Sequence, residues 1–301
     1  MKVKKILILG GTGMLGHVLF TQLSCHQDLD VYASARTASN LERWFSPELI
    51  PKIRTEVDAN EFDTIAGAIA SIRPDTVINC IGLIKQSPSA KDPFSAIAVN
   101  ALLPHRISLA CKTAGARLIH ISTDCVFDGM KGNYREDDPS DAKDLYGKSK
   151  FLGETASPHC VTLRTSVIGH ALNHQLGLMD WLLAQEGKIR GYTRAIFSGL
   201  PTVEVARIIG DHVLPRAELS GVYHVSSEAI SKYDLLRSVA ERYDKGIEIE
   251  PFDGVVVDRS LDSSLFQKAT GYRSPPWPDL VDRMHRHYVE FGYDRKSLTH
   301  R

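Results

Sequence analysis

Glycines at every third position, Gly10, Gly13 and Gly16, separate a short apolar run from a helix-forming segment at the start of the chain. The predicted strand Val3–Leu9 ends in the continuous apolar run Ile6–Leu9, as expected for a strand buried on both faces. Gly10 permits a tight turn, Gly13 lets backbone N–H groups approach a pyrophosphate at the helix N-terminus, and Gly16 allows close helix–strand packing. The spacing therefore predicts a dinucleotide-binding turn within a strand–turn–helix unit.

The segments around this turn alternate between strand and helix. Predicted strands lie at Asp30–Ala35, Ile53–Val57, Thr76–Cys80, Arg117–Ser122 and Val161–Arg164, and predicted helices at Met14–Ser24, Phe62–Ile72, Phe94–Ala114 and Asp141–Thr155. Such alternation is typical of βαβ units and a parallel sheet. We therefore predict an α/β fold in which residues 1–165 form a doubly wound parallel-sheet Rossmann domain that binds a dinucleotide.

The alternation changes after residue 165. Helices are predicted at Leu176–Ala184, Val203–Val213, Ser231–Tyr243, Leu261–Ala269 and Leu280–Tyr288, with a strand at Val222–Val225 and a polar stretch at Lys188–Gly199. We expect residues 166–301 to form a smaller, mixed α/β substrate domain. Within it, segments at about 200–226 are expected to pack back on the first domain.

Composition excludes several classes of partner. The 36 Lys and Arg residues balance the 36 Asp and Glu residues, so no global charge attracts nucleic acid or an anionic membrane. The sequence has no apolar stretch of the length that a membrane span needs, and glycines break the apolar start that could imitate a signal peptide. Five cysteines without a CxxC pair fit a reducing compartment, and we expect a cytoplasmic protein. The pair His170 and His174 lacks a Glu or Cys companion, so no metal site is predicted.

The residue after the second strand indicates which dinucleotide binds. An acidic residue about 20 positions beyond the turn would bond the ribose 2′-hydroxyl of NAD. Here that position is Arg36, whereas Asp28 and Asp30 lie at the wrong end of the strand. A guanidinium can hold a 2′-phosphate bidentately. The sequence therefore favours NADP over NAD.

Three residues form the predicted reacting centre. Thr123 follows the fifth strand, at the sheet edge where α/β proteins bind ligands. Tyr146 and Lys150 are four residues apart, which places both side chains on one helix face. A nearby ammonium and an oxidised nicotinamide would lower the pKa of the phenol. Tyr146 could then protonate a carbonyl oxygen while hydride reaches its carbon, with Thr123 bonding the same oxygen and Lys150 also holding the nicotinamide ribose.

Together these motifs resemble the extended short-chain dehydrogenase/reductase family, and within it the branch of dTDP-4-dehydrorhamnose reductases. The similar segments span nearly the whole chain and are Ile121–Gly129, Tyr146–Lys150, Leu163–Ser166, Gly221–His224 and Arg259–Asp262. The resemblance implies the same roles for Thr123, Tyr146 and Lys150. It also implies cofactor contacts by Thr12, Met14 and Leu15 in the turn, by Asp58 near adenine, and by Cys80, Ile81 and Gly82 along the cofactor.

The sequence departs from this branch on the substrate side. Val167 replaces a frequent aromatic residue, Cys125 replaces a frequent tyrosine, and the segment Gly82–Gln86 replaces an acidic, alanine-rich loop. A pocket that loses a ring and gains polar donors would suit a sugar with an additional polar group better than dTDP-4-dehydrorhamnose. Dehydratases of the wider family carry Asp-Glu after the threonine, so the pair Asp124–Cys125 argues against dehydration.

These features leave three functions to weigh. The first is NADPH-dependent reduction of the keto group of a nucleotide-activated 4-keto-6-deoxy sugar. The second is a nucleotide-sugar epimerase that retains NAD, against which Arg36 argues. The third is a non-catalytic, NADP-binding regulatory subunit, since the resemblance extends to the regulatory subunit of methionine adenosyltransferase. The candidate substrate-binding residues are Lys85, Asp124, Arg194 and Arg259. The sequence leaves the oligomeric state open, with a homodimer as the candidate.

Overall fold

The computed structural model describes residues 3–85, 88–172 and 177–293. The strands are β1 (Lys4–Leu9), β2 (Leu29–Ser34), β3 (Ile53–Arg54), β4 (Thr76–Asn79), β5 (Arg117–Thr123), β6 (Cys160–Thr165), β7 (Val167–Ile168), β8 (Lys188–Tyr192), β9 (Ala195–Phe197), β10 (Leu200–Pro201), β11 (Gly221–His224), β12 (Ile230–Ser231), β13 (Glu248–Phe252) and β14 (Val257–Asp258). The α-helices are α1 (Gly16–Leu23), α2 (Leu41–Trp44), α3 (Phe62–Ile72), α4 (Pro93–Ala96), α5 (Leu103–Ala114), α6 (Leu145–Leu152), α7 (Leu178–Leu183), α8 (Thr202–Ile208), α9 (Lys232–Arg242), α10 (Ser264–Thr270) and α11 (Trp277–Phe291).

A seven-stranded parallel sheet forms the centre of the molecule. Its strand order is β11-β6-β5-β4-β1-β2-β3, so the predicted α/β fold with a doubly wound parallel sheet is confirmed. The direction of winding reverses between β1 and β4. In open α/β sheets the crevice beyond the carboxyl ends of the strands at such a point binds the ligand. The glycine turn after β1 and the loop after β4 both leave the sheet there.

Helices cover both faces of the sheet. Ile6 and Ile8 of β1 face a core that includes apolar residues of α1, α8 and α11. Leu7 and Leu9 face the opposite core, which α3 and α5 complete. Because successive side chains of a strand point to opposite faces, the apolar run of β1 stabilises both layers at once. This central strand is therefore a rigid support for the turn that follows it.

The chain beyond residue 165 adds short strands to this frame. Strand β11 extends the central sheet beside β6, and α8 packs against α1. Both elements belong to the segment 200–226. Strand β8 pairs with β13, and β9 pairs with β12 and β14. The stretch 188–199, for which the sequence indicated only polar character, thus contains two strands. The boundary at residue 165 stays a prediction.

Two predicted helices differ in detail from the structure. The helix expected at Phe94–Ala114 begins as α4 and ends as α5, with a π-helical segment at Ile97–Leu102 between them. The predicted start of α7 at Leu176 lies outside the described residues. In contrast to the expectation from the sequence, the helical stretch Pro93–Ala114 is long and apolar enough to cross a membrane, and half of its apolar window is buried in the protein. No other helix among residues 3–85, 88–172 and 177–293 passes that test.

Candidate active site

The glycine turn packs too tightly for larger residues. A Cβ atom on Gly16 would lie 2.1 Å from the carbonyl oxygen of Gly10, and Gly10 itself adopts φ +81°. The N–H of Gly10 donates to the hydroxyl of Ser34 (3.1 Å), and that of Gly11 donates to the Ser34 carbonyl (2.8 Å). These contacts fix the turn against the end of β2. Thr12, Gly13, Met14 and Leu15 complete the turn, and α1 begins directly after it.

The candidate adenosine-binding residues lie beside this turn. Arg36 is exposed two residues after β2, and Val57 N–H donates to the Ala35 carbonyl (3.1 Å). This bond places Asp58 at the same edge of the sheet as Arg36. The carboxylate of Asp58 accepts from the backbone and the side-chain N–H of Asn60 (2.8 and 3.0 Å). Asp58 therefore shapes its own loop, while the guanidinium of Arg36 is exposed at the sheet edge.

The segment after β4 runs between the glycine turn and helix α6. The side chain of Asn79 accepts from Ile81 N–H (3.1 Å). The side chain of Asn100 accepts from Leu83 N–H (2.8 Å) and donates to the Leu83 carbonyl (3.3 Å). A Cβ atom on Gly82 would lie 3.8 Å from the Lys150 ammonium. The Cys80 N–H donates to Leu9 (3.0 Å). Cys80, Ile81 and Gly82 thus line the crevice between the glycine turn and Lys150. Sequence analysis missed Asn79 and Asn100, although a buried Asn in an apolar segment is a signal for such a role.

The structure brings Thr123, Tyr146 and Lys150 together at the carboxyl edge of the sheet. Thr123 ends β5, and its hydroxyl accepts from Cys125 N–H (3.1 Å). Helix α6 begins at its N-cap Asp144, whose carboxylate accepts from Gly147 N–H (2.8 Å). A Cβ atom on Gly147 would lie only 2.2 Å from the Cys125 carbonyl. The small residue between Tyr146 and Lys148 therefore allows the helix to approach Thr123 closely.

Burial raises the pKa of Tyr146 above its usual value, and the neighbouring Cys125 and Asp124 act in the same direction. A hydrogen bond with Thr123 opposes them. The sequence predicted a lowered pKa through Lys150, but burial dominates and the Lys150 ammonium donates to the Ile121 carbonyl (2.8 Å). A raised pKa keeps the phenol protonated at neutral pH, which is the form that can donate a proton.

Lys150 is buried with 6% of its surface exposed. Burial lowers its pKa to about 8, while the acidic Glu154 acts in the opposite direction. The ammonium is therefore charged at neutral pH but is held in an apolar environment. A buried charge beside Gly82 can bind hydroxyl groups strongly, because water competes little for them. Ribose hydroxyls fit this position.

The four candidate substrate-binding residues have different surroundings. Burial raises the pKa of Asp124, whose carboxylate accepts from the Thr123 hydroxyl (3.1 Å). Lys85 forms an exposed ion pair with Asp144 (2.7 Å), so it contacts the N-cap of α6. Arg259 donates to the backbone carbonyls of residues 127 and 128 and lines a pocket with Asp144. Arg194 is exposed between β8 and β9. No hydrogen bond or ion pair joins Arg194 to the other described site residues.

Sequence analysis also missed a buried ion pair behind the reacting centre. Glu154 accepts two hydrogen bonds from Arg164 (both 2.8 Å) and one from the Ser122 hydroxyl (2.7 Å). Arg164 continues to His224 on β11 (3.2 Å). Glu154 lies four residues after Lys150, just beyond the C-terminal end of α6, and that spacing was the available signal. The pair connects α6 to β5 and β6. As for metal, no cluster of three ligating side chains occurs among the described residues, and His174 lies outside them.

Comparison with known proteins identifies the family to which this site belongs. The model of the RmlD substrate binding domain matches residues 4–288. The chain belongs to this family. Among curated relatives, this RmlD-family chain is 29% identical to the spore coat polysaccharide biosynthesis protein SpsK of Bacillus subtilis over 252 residues, 81% of this chain and 80% of SpsK. It is 32% identical to a dTDP-4-dehydrorhamnose reductase of Burkholderia thailandensis over 196 residues, 60% of this chain and 65% of that protein. It is 26% identical to the methionine adenosyltransferase 2 subunit beta of Danio rerio over 253 residues, 80% and 74% of the two chains.

Solved structures show the same fold for the RmlD-family chain. The dTDP-4-dehydrorhamnose reductase of Bacillus anthracis, crystallised with NADP, superposes with a TM-score of 0.74 at 21% identity, covering 95% of this chain and all of that one. WbmG of Bordetella bronchiseptica, crystallised with NAD and UDP, superposes with a TM-score of 0.76 at 19% identity and covers 96% of each chain. Both the NADP-bound and the NAD-bound relative thus share this architecture.

Proposed function

We propose that the protein reduces the keto group of a nucleotide-activated 4-keto-6-deoxy sugar with NADPH, and that it acts in polysaccharide biosynthesis. The observation that carries the proposal is the meeting of Thr123, Tyr146 and Lys150 beside Gly82, at the switch point of the sheet. The relatives named as dTDP-4-dehydrorhamnose reductases support the same reaction. An intact set of these three side chains favours catalysis over a purely regulatory role.

The residues of this chain fit the binding of NADP. The glycine turn exposes the N-terminus of α1, whose backbone N–H groups and dipole favour a pyrophosphate. Arg36, exposed at the sheet edge beside the turn, would hold the 2′-phosphate, and Lys150, beside Gly82, would hold the nicotinamide ribose hydroxyls. When bound, the reduced cofactor supplies the hydride that the protein itself lacks. The side chains then need only to orient the sugar and to move one proton.

Tyr146 supplies that proton. Its phenol is protonated at neutral pH, and the hydroxyl of Thr123, which donates to Asp124 in this structure, would turn to donate to the same ketone oxygen. As hydride adds to the carbonyl carbon, negative charge develops on the oxygen, and the O–H of Tyr146 transfers its proton there. The ammonium of Lys150 stays bonded to the Ile121 carbonyl and adds positive charge at the same edge of the sheet. Asp124, beside Thr123, is placed to contact a sugar hydroxyl.

The substrate side of the site supports a sugar with an additional polar substituent. Burial, together with the neighbouring Asp124, raises the pKa of the Cys125 thiol to about 12, so the thiol is neutral and small beside the phenol. Val167 on β7 is also smaller than an aromatic ring. Arg259 and Lys85 lie near Asp144 and provide positive charge for the pyrophosphate of the nucleotide. We propose Arg194 as a further contact of the sugar nucleotide.

The remaining partners and the location are also proposals. The balanced charge of the chain supports a protein that binds neither nucleic acid nor a membrane, and its unpaired cysteines support a location in the cytoplasm. A homodimer is supported by exposed apolar side chains, including Phe94 (82% exposed) and Leu109 (66% exposed), on the helical stretch 93–114.

A panel of NADPH-oxidation assays tests the proposed function. Keto sugars would be made in situ from dTDP-, UDP- and GDP-linked precursors, and the specificity constant would be measured for each. We expect a UDP-linked keto sugar with an additional polar group to react faster than dTDP-4-dehydrorhamnose. If the protein binds NADPH tightly but oxidises it with none of these sugars, the result would support the regulatory-subunit alternative instead.

A further inference from the structure

A buried histidine connects the glycine turn to the last described residue of the chain. His17 follows Gly16 and has no exposed surface. Its Nδ1 lies 2.7 Å from the carbonyl oxygen of Gly13, and its Nε2 forms a short hydrogen bond with the hydroxyl of Tyr293. Tyr293 is 5% exposed, although 276 residues separate it from His17. Neither side chain takes part in the reaction described above.

The chemistry of the Gly13 carbonyl fixes the position of one proton on His17. A carbonyl oxygen only accepts hydrogen bonds, so Nδ1 of His17 must carry a proton and donate it to Gly13. In the neutral imidazole the other nitrogen, Nε2, is then an acceptor, and the hydroxyl of Tyr293 donates to it. Tyr293 therefore selects the tautomer of His17 that can hold the turn.

The carbonyl of Gly13 also accepts from the backbone N–H of His17 (3.1 Å), so two donors hold it toward α1. A trans peptide unit is planar, and its C=O and N–H point in opposite directions. The N–H of Met14, which shares this peptide unit, is therefore directed away from the helix. It points out from the N-terminus of α1, where an anionic group would bind.

Aromatic rings hold Tyr293 in this position. Its ring centroid lies 4.6 Å from that of Phe291, 5.1 Å from that of His170 and 5.7 Å from that of Tyr288. Trp44, which ends α2, is 6.5 Å away. The contacts come from the loop after β7, from the end of α11 and from α2. The hydroxyl of Tyr293 is thus presented to His17 by a packed cluster.

We infer that His17 and Tyr293 are positioning residues for the cofactor, and that the C-terminal end of α11 orients the peptide that binds its pyrophosphate. The inference rests on the proposed NADPH binding. It predicts an effect on cofactor affinity and not on the chemical step, because Tyr146 and Lys150 lie beyond these contacts.

Tyr293→Phe tests the inference, since it removes one hydroxyl and keeps the ring. A neutral hydrogen bond contributes about 0.5–1.5 kcal/mol, so we expect Kd and KM for NADPH to rise about 2- to 13-fold, with kcat at saturating NADPH unchanged. Tyr243→Phe is the matched control, because its hydroxyl bonds His170 (2.9 Å) and not His17. We expect its NADPH affinity to stay within about twofold of the unmodified protein.

A second variant separates positioning from general loss of structure. In His17→Asn the shorter side chain retains a donor for Gly13 but loses the contact with Tyr293. Adding Tyr293→Phe to this variant should then weaken NADPH binding no further, because the two residues act as one unit. Circular dichroism and thermal unfolding would check that each variant is folded.

The outcomes are distinguishable. If the unmodified protein binds no NADPH in a fluorescence titration, the proposed cofactor is wrong and the inference falls with it. If the unmodified protein binds NADPH and folded Tyr293→Phe binds it equally well, only the inference is overturned. Independent, additive effects of the His17 and Tyr293 substitutions would also overturn it.

Discussion

At the scale of single residues, burial shifts the pKa values of two side chains in the proposed reacting centre in opposite directions. Burial raises the pKa of Tyr146 and lowers that of Lys150 to about 8. Both shifts reduce charge in a site that excludes water. A phenol that keeps its proton fits the proposed role of proton donor, and an ammonium that remains charged at neutral pH fits the proposed binding of the nicotinamide ribose.

Tyr146→Phe removes the proton donor and leaves the ring in place. General acid catalysis by a positioned group contributes about 10²–10⁴-fold, so we expect kcat to fall by that order while the Kd for NADPH stays nearly constant. Stopped-flow measurement of NADPH oxidation and a binding titration would report the two quantities separately. Unchanged turnover on the true substrate would refute the role of Tyr146.

The lowered pKa of Lys150 predicts how kcat changes at alkaline pH. The ammonium is charged below its pKa of about 8 and loses its proton as the pH rises through that value. We therefore expect kcat to decline above about pH 8. Lys150→Arg keeps the charge, so the decline should move to higher pH, whereas Lys150→Met should weaken turnover and NADPH binding at all pH values. If kcat of Lys150→Arg declines at the same pH as that of the unmodified protein, the decline arises from another group.

Arg36→Ala tests the choice between NADP and NAD. A charge-assisted contact with the 2′-phosphate contributes about 1.5–3 kcal/mol, which corresponds to about 10- to 150-fold in Kd. We expect the variant to lose most of its preference for NADPH while its affinity for NADH changes little. Arg237→Ala, at an exposed position of α9, controls for loss of one positive charge. Equal affinities of the unmodified protein for both cofactors in a calorimetric titration would contradict this prediction.

At the scale of elements, helix α6 is held at both ends. Asp144 caps its N-terminus and pairs with Lys85, and a Cβ atom on Gly153 at its C-terminus would lie 2.0 Å from the Asn100 carbonyl. Glu154, one residue further, is buried in its pair with Arg164. A helix fixed in this way cannot slide along β5, so the distance between Tyr146 and Thr123 is set by the frame.

Glu154→Gln should destabilise the fold, although the side chain keeps nearly the same size and shape. The substitution leaves the Arg164 charge buried without its counter-charge, and breaking a buried pair in this way costs about 3–5 kcal/mol. We expect a lower midpoint of urea unfolding with an unchanged m value. Glu241→Gln, on the exposed side of α9, should leave the midpoint unchanged. A Glu154 variant as stable as the unmodified protein would show that the pair contributes little.

At the scale of the whole molecule, local sequence patterns predicted the fold and the candidate reacting centre, but they did not predict contacts between residues far apart in the chain. The glycine turn and the spacing of Tyr146 and Lys150 are local, so their physical meaning can be derived from neighbouring residues. Bonds such as that between His17 and Tyr293 join residues far apart in the chain. Strands of two residues, such as β7 and β12, carry no periodicity at all. The pKa of Tyr146 depended on burial, which spacing does not reveal.

The position of β11 has a consequence for the order in which the chain is synthesised. This strand covers the outer edge of β6, yet 55 residues lie between Thr165 and Gly221. While those residues emerge from the ribosome, β6 presents a row of unpaired backbone groups beside a buried apolar surface. Such an edge invites pairing with other chains. The nascent protein therefore passes through an aggregation-prone interval that ends only when Gly221–His224 arrives, so chaperone capacity will influence how much active protein a cell accumulates.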